Sequence, residues 1–211
     1  MRFRTVLVGA LVVIAVAVGG MVASSWTDIS ALVSGVRASS ELCSTFDEDE
    51  RLDLMGVETP TRMLDVEGSL DPYTCRWSTS DPSQGSFVQV VSAPAEQWAA
   101  SVATALASQP PAGDPRRVRQ LRRAAAQPIA TGADGCRFAR RLFRLGGAPD
   151  GAPRLVAESL STTGEPMMMA QSCVDGRYAA VMVAKPAVAV DQALARRTDR
   201  ALRRLEESPR D

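Results

Sequence analysis

The hydrophobic pattern divides the chain at Trp26. From Thr5 to Trp26 no residue is charged, and two arginines, Arg2 and Arg4, stand just ahead of the run. A helix of twenty-two residues rises about 33 Å, enough to cross the roughly 30 Å hydrocarbon core of a bilayer. Residues 1-26 are therefore expected to form an N-terminal transmembrane helix that contacts the lipid bilayer through residues 5-26. The short, arginine-bearing end stays inside and the C-terminal portion lies outside. A secretory signal shares the charged start but has a shorter apolar core. Val22-Ala23-Ser24 offers small residues where cleavage needs them, so secretion after signal cleavage is the alternative to a retained single-pass anchor. Trp26 suits the headgroup level and favours retention.

After a stalk at 27-40, where Ile29, Leu32, Val33 and Val36 recur three and four apart, strand and helix periods alternate. Thr45-Phe46-Asp47-Glu48 reads as a capping box opening a short acidic helix that Gly56 ends. Tyr73, Cys75, Trp77 and Thr79 alternate, as does Ser86-Phe87-Val88-Gln89-Val90-Val91, and the turn-rich residues 81–85 between them predict a hairpin. Trp98, Val102 and Leu106 form one stripe of a helix beginning near Pro94 and stopping before Pro110-Pro111. Asp114-Pro115 then starts a basic helix, with Val118 and Leu121, that ends at Pro128.

Four further strands are expected at about 137–145, 154–161, 166–174 and 177–184, followed by a closing helix from Asp191 that presents Leu194, Ala201, Leu202 and Leu205. Cys136-Arg137-Phe138 echoes Cys75-Arg76-Trp77. The fold class is thus α+β: a transmembrane helix, then an antiparallel-sheet domain with packed helices. The domain is read as two related β-meander-plus-helix halves, at 41-112 and 136-211, joined by the basic helix and linker at 113-135.

Composition removes whole classes of chemistry. The chain contains no histidine, which excludes Ser-His-Asp triads, Cys-His pairs and any zinc site containing histidine. Formal net charge is zero, so no global field draws it to nucleic acid, and the expected compartment excludes DNA as well. One lysine, Lys185, stands against twenty-three arginines, with no asparagine, a bias that reads as a GC-rich genome.

Cys43, Cys75, Cys136 and Cys173 form an even set in a chain sent to an oxidising compartment, so two disulfides are expected. Of the three connectivities, Cys43–Cys75 and Cys136–Cys173 are favoured, closing loops of about 33 and 38 residues, each stabilising by about 3–4 kcal/mol. No pair is spaced as CxxC. The spread of Cys43, Cys75-Arg76-Trp77, Cys136 and Cys173 behind an apolar leader resembles a group of exported actinobacterial envelope proteins without an agreed activity. The resemblance implies location and class and transfers no site residues; the lipid-attachment cysteine that many of them carry is missing here.

Residues 41–71 carry ten carboxylates with Arg51 and Arg62, but Asp47-Glu48-Asp49-Glu50 lacks the ligand order of a calcium loop, and a solvated first helical turn explains it better. No metal or cofactor is expected. Arg116, Arg117, Arg119, Arg122 and Arg123, followed by Arg137, Arg140, Arg141 and Arg144, face Asp134 alone. They form either a patch for anionic headgroups or wall polymers, or a face that pairs with the acidic stretch inside the fold. Met167-Met168-Met169 points to opposite strand faces in turn and so packs the core instead of holding copper. Trp77 and Trp98 are read as core before pocket floor. No nucleophile elbow, phosphate loop or dinucleotide fingerprint occurs, and Lys185, the one candidate for a Ser-Lys dyad, precedes Pro186. The expectation is a non-enzymatic, membrane-tethered extracytoplasmic module that binds an envelope protein or an anionic polymer. The alternative is an exported hydrolase using a carboxylate pair.

Overall fold

A computed structural model describes residues 39–56, 64–65, 73–78, 87–108, 115–160, 166–184 and 188–208. The apolar leader, most of the stalk, and Lys185 lie outside the described residues. Among those described, no helix is long and apolar enough to cross a membrane.

Six strands form one antiparallel sheet in the order β1-β2-β3-β6-β5-β4: β1 Leu64–Asp65, β2 Thr74–Ser78, β3 Phe87–Pro94, β4 Arg154–Leu160, β5 Pro166–Val174 and β6 Arg177–Ala184. Two meanders, β1-β2-β3 and β4-β5-β6, meet through β3 and β6, where Val90 lies opposite Val181. The β5–β6 hairpin turns on Asp175-Gly176, both at positive φ (49° and 75°), the pair of left-handed residues that a tight two-residue turn requires. The fold is α+β with an antiparallel sheet and packed helices, as the periodicities predict.

Helices cover both faces of the sheet. On β6, Tyr178, Ala180, Met182 and Ala184 enter one core, and Ala179, Val181 and Val183 enter the other. Alternate side chains of a strand point to opposite faces, so with both faces covered β6 is apolar on every residue from Tyr178 to Ala184. The first core is closed by α3 (Ala95–Ser108), α4 (Pro115–Ala125) and α5 (Gly132–Leu145). The second is closed by α1 (Ser39–Ser44), α2 (Glu48–Met55) and α6 (Gln192–Glu207). Trp98 of α3 stacks on Tyr178 with ring centroids 3.7 Å apart, and Trp77 of β2 meets Phe46 edge-on. Met167 and Met169 face the first core and Met168 the second. The second core draws on both halves of the chain, from Phe46, Leu54 and Trp77 to Leu194, Leu202 and Leu205.

Each disulfide ties a helix to the sheet, one on each face. Cys43 of α1 joins Cys75 of β2, and Cys136 of α5 joins Cys173 of β5, with Cα atoms 5.4 and 5.2 Å apart. These are the pairings favoured above.

Two local expectations are corrected. Residues 137–145 form no strand but the body of α5, because Thr131 caps a helix there. Its hydroxyl accepts from the Asp134 N–H while the Asp134 carboxylate accepts from the Thr131 N–H, and Cys136, Ala139, Leu142 and Phe143 then fall on one buried face. The capping box of the acidic helix sits two residues later than expected, on Asp47 and Glu50; Gly56 ends that helix at φ 70° as foreseen.

Candidate functional site

The basic stretch becomes a helical hairpin. In α4, Val118, Leu121 and Ala124 recur at a three-residue spacing; Leu121 and Ala124 are buried, and the arginines take the remaining faces. A short loop through Pro128 and Ile129 leads to Thr131, and α5 runs back alongside. Arg137, Arg141 and Arg144 of α5 are spaced at i, i+4 and i+7, one stripe along the helix.

Two adjoining clefts lie between the helices. The first, of about 310 Å³, is walled by Pro128, Ile129 and Phe138 and edged by Asp134, Arg137 and Arg141. The second, of about 290 Å³, is edged by Gln120, Arg123, Arg141 and Arg144. Ala124, Gln127 and Arg141 line both, so the two form one continuous trough.

Each trough arginine of α5 is steadied at its rim. Arg137 pairs with Asp134, Arg141 donates to the Gln127 side-chain oxygen, and Arg144 donates to Asp150 at 3.1 Å. Asp134 also accepts from the Thr131 hydroxyl at 2.8 Å and from the Ala130 and Thr131 N–H groups at 3.2 and 3.0 Å. These bonds, the Thr131 hydroxyl foremost, hold its carboxyl below the usual carboxylate range. A carboxylate so occupied is a brace for the hairpin. Arginine keeps its proton at any working pH and offers five donors in a planar fork, so the trough is built to bind and orient an oxyanion.

Of the five arginines singled out on α4, Arg123 lines the trough, while Arg116, Arg119 and Arg122 are exposed and Arg117 is half-buried. The trough's other cations, Arg137, Arg141 and Arg144, sat within the stretch read as a strand. Their placement could have been recovered from Thr131-Gly132-Ala133-Asp134, a capping-box spacing followed by apolar residues at a 3.6-residue period.

The acidic helix does not neutralise this surface. It lies on the opposite face of the sheet, where Glu50 pairs with Arg204 and Asp53 with Arg197 at 3.6 Å, both partners on α6. Among the described residues, Arg117, Arg119, Arg122, Arg123 and Arg140 make no ion pair. Among the described residues, these two carboxylates of the acidic helix thus find their partners on α6 and not in the basic stretch.

Other candidates resolve into structure. Trp77 and Trp98 are fully buried in the two cores. Among the described residues, no three cysteine or carboxylate side chains gather as a metal site, and Asp134 is the one carboxylate lining either cleft. No protein-family model, curated protein or solved structure matches the chain.

Proposed function

We propose that this chain is a membrane-tethered extracytoplasmic module that binds an anionic partner through the α4–α5 face. The carrying observation is the arginine surface of α4 and α5, which the fold leaves largely without counter-charges. The apolar leader supports a place at the cell membrane with the folded domain outside. The two disulfides support an oxidising compartment, where such bonds persist. The resemblance to exported actinobacterial envelope proteins, and the reading of the domain as two related meander-plus-helix halves, belong to the same proposal. In this reading the module is accessory, holding an envelope polymer or partner without transforming it. A hydrolase would need a second carboxylate facing Asp134 across the trough.

Retention on a heparin column tests the reading, with the full chain held in an uncharged detergent. The parent should elute only at raised salt, because charge–charge attraction between exposed groups is screened within about 10 Å at 0.1 M. The variant carrying R116Q, R117Q, R119Q, R122Q and R123Q should elute markedly earlier. Equal elution of parent and variant would remove the α4 arginines from any binding role.

A further inference from the structure

We propose that the trough between α4 and α5 binds two consecutive phosphates of a phosphodiester chain whose links are short and uncharged. Arg137 and Arg141 hold one phosphate, and Arg144 with Arg123 holds the next. The inference rests on the anionic-partner reading and names the chemistry of that partner.

Spacing carries the argument first. At 1.5 Å rise per residue, Arg137 and Arg141 are offset by about 6 Å along α5, and Arg137 and Arg144 by about 10 Å. A single small anion spans one such interval; two anionic groups joined by a linker span both. The clefts repeat this division, each offering at least two guanidinium groups and sharing Arg141 at their junction.

The walls supply the second argument. Where the two clefts join, between the two phosphate positions, the lining they share besides Arg141 is Ala124 and Gln127, which carry no charge. A condensed phosphate would place anionic charge against that uncharged stretch, whereas a carbon link would rest there. Phe138 is buried with its ring turned into the core, so neither cleft offers an exposed aromatic platform on which a nucleobase would stack. The links favoured are therefore small polyols, of the glycerol kind.

The rim partners are compatible with this ligand. The Arg144–Asp150 pair is solvent-exposed, and pairs of that kind hold by at most about 1 kcal/mol, so a phosphate can displace it. Asp134 repels an anion, but it is already occupied by three donors and by Arg137, whose guanidinium has further N–H donors beyond that pairing. Bidentate phosphate contacts depend on the guanidinium fork, which a lysine ammonium does not reproduce.

Calorimetric titration of the detergent-held full chain with glycerol phosphate, with a trimer of glycerol phosphate, and with tripolyphosphate tests the proposal. The trimer should bind at least tenfold tighter than the monomer. R141K, R144K and R123K should each weaken the trimer at least fivefold, with far-ultraviolet circular dichroism unchanged, while R200K on α6 should not. Because R123K and R144K alter exposed side chains, they report on the site even if R141K disturbs the hairpin. Equal affinity for monomer and trimer, or lysine variants that bind like the parent, overturns the proposal. Tighter binding of tripolyphosphate than of the trimer overturns the carbon-link assignment. If heparin retention stays dependent on the α4 arginines while the trimer shows no preference, the trough fails and the broader reading stands. If both fail, the anionic-partner reading fails with it.

Discussion

Replacing Gly135 with alanine probes the joint on which both the fold and the trough depend. Gly135 lies in the first turns of α5, pressed against the junction where β3 becomes α3. A β-carbon there would stand 2.3 Å from both the carbonyl carbon and the oxygen of Ala95, and 2.6 Å from the Glu96 nitrogen. Ordinary van der Waals contact begins near 3.4 Å, so the overlap is 3.4 − 2.3, or about 1.1 Å, against backbone that no rotamer change can move. The relief is a shift of α5 away from α3. Overpacking of this kind costs about 1–3 kcal/mol, and a backbone obstacle places the cost near the upper end. Glycine to alanine inside a helix returns about 1 kcal/mol through propensity. The net is about 2 kcal/mol of destabilisation, or a Tm lower by about 4–8 °C in a domain of this size.

Thermal unfolding followed by tryptophan fluorescence reads that shift, because Trp98 packs against the same junction in the first core. The substitution should also weaken binding in the trough, since Arg137, Arg141 and Arg144 travel with α5 while Arg123 remains on α4. A G135A variant as stable as the parent, or more stable, would refute the close approach of α5 to α3 and the positioning argument built on it.

Two further outcomes are expected. Tyr178 donates to the Gln171 side-chain oxygen at 2.8 Å, both residues are buried, and the Gln171 amide nitrogen has no partner, so Y178F should cost about 1–3 kcal/mol in denaturant unfolding, with much of the loss absent in the Y178F/Q171M double variant. Full loss in the double variant would show that the packing of the lost hydroxyl, not the stranded Gln171 oxygen, carries the cost. Asp134 and Asp191 are both held below the usual carboxylate range, Asp134 chiefly by the Thr131 hydroxyl and Asp191 chiefly by the Leu194 N–H. Their contribution is present above the unfolded value near 3.9 and is lost as pH falls through the lower folded values. With no histidine in the chain, the unfolding midpoint should stay flat from pH 8 to pH 5 and fall below about pH 4. A decline between pH 7 and pH 5 would contradict this.

Much of the architecture was legible because it is written locally. The Trp98-Val102-Leu106 stripe and the Leu194-to-Leu205 face of α6 each impose one period, and the structure keeps them; β3 is the expected strand, but it is buried on both faces instead of alternating in and out. The segment 137–145 was misread because Arg137-Phe138 resembles Arg76-Trp77 when paired with a preceding cysteine, while the helical period emerges only over ten residues from Thr131. The cap of α2 was displaced because Thr45 and Asp47 are both competent caps with an acidic residue three places on, and local sequence does not choose between them. The two-residue β1 is too short to carry a period. The strand order was not legible at all, since the joining of the meanders depends on β3 meeting β6 across about ninety intervening residues. The trough needs both the helical reading of α5 and its antiparallel return along α4, so it inherits both gaps.

Charge is where the two faces of the sheet part company. Formal net charge is zero, yet the charges are sorted. Around α6, Arg197, Arg203 and Arg204 take carboxylates from α2 and from α6 itself, and Arg154 takes Glu206, so that face is largely self-neutralised. On α4 and α5 the arginines neither enter the core nor, for the most part, find carboxylates. Arg119 lies one turn from Arg123, Arg137 from Arg141, and Arg140 from Arg144, and like charges at that spacing destabilise a helix by a few tenths of a kcal/mol each. Folding alone gives no reason to keep such an arrangement when the same chain supplies acidic partners to α6. Residues that work against local stability are expected where a surface must meet something else. A polyanion would offset all of those neighbour repulsions at once, because each of its charges attracts two or more of the crowded guanidinium groups.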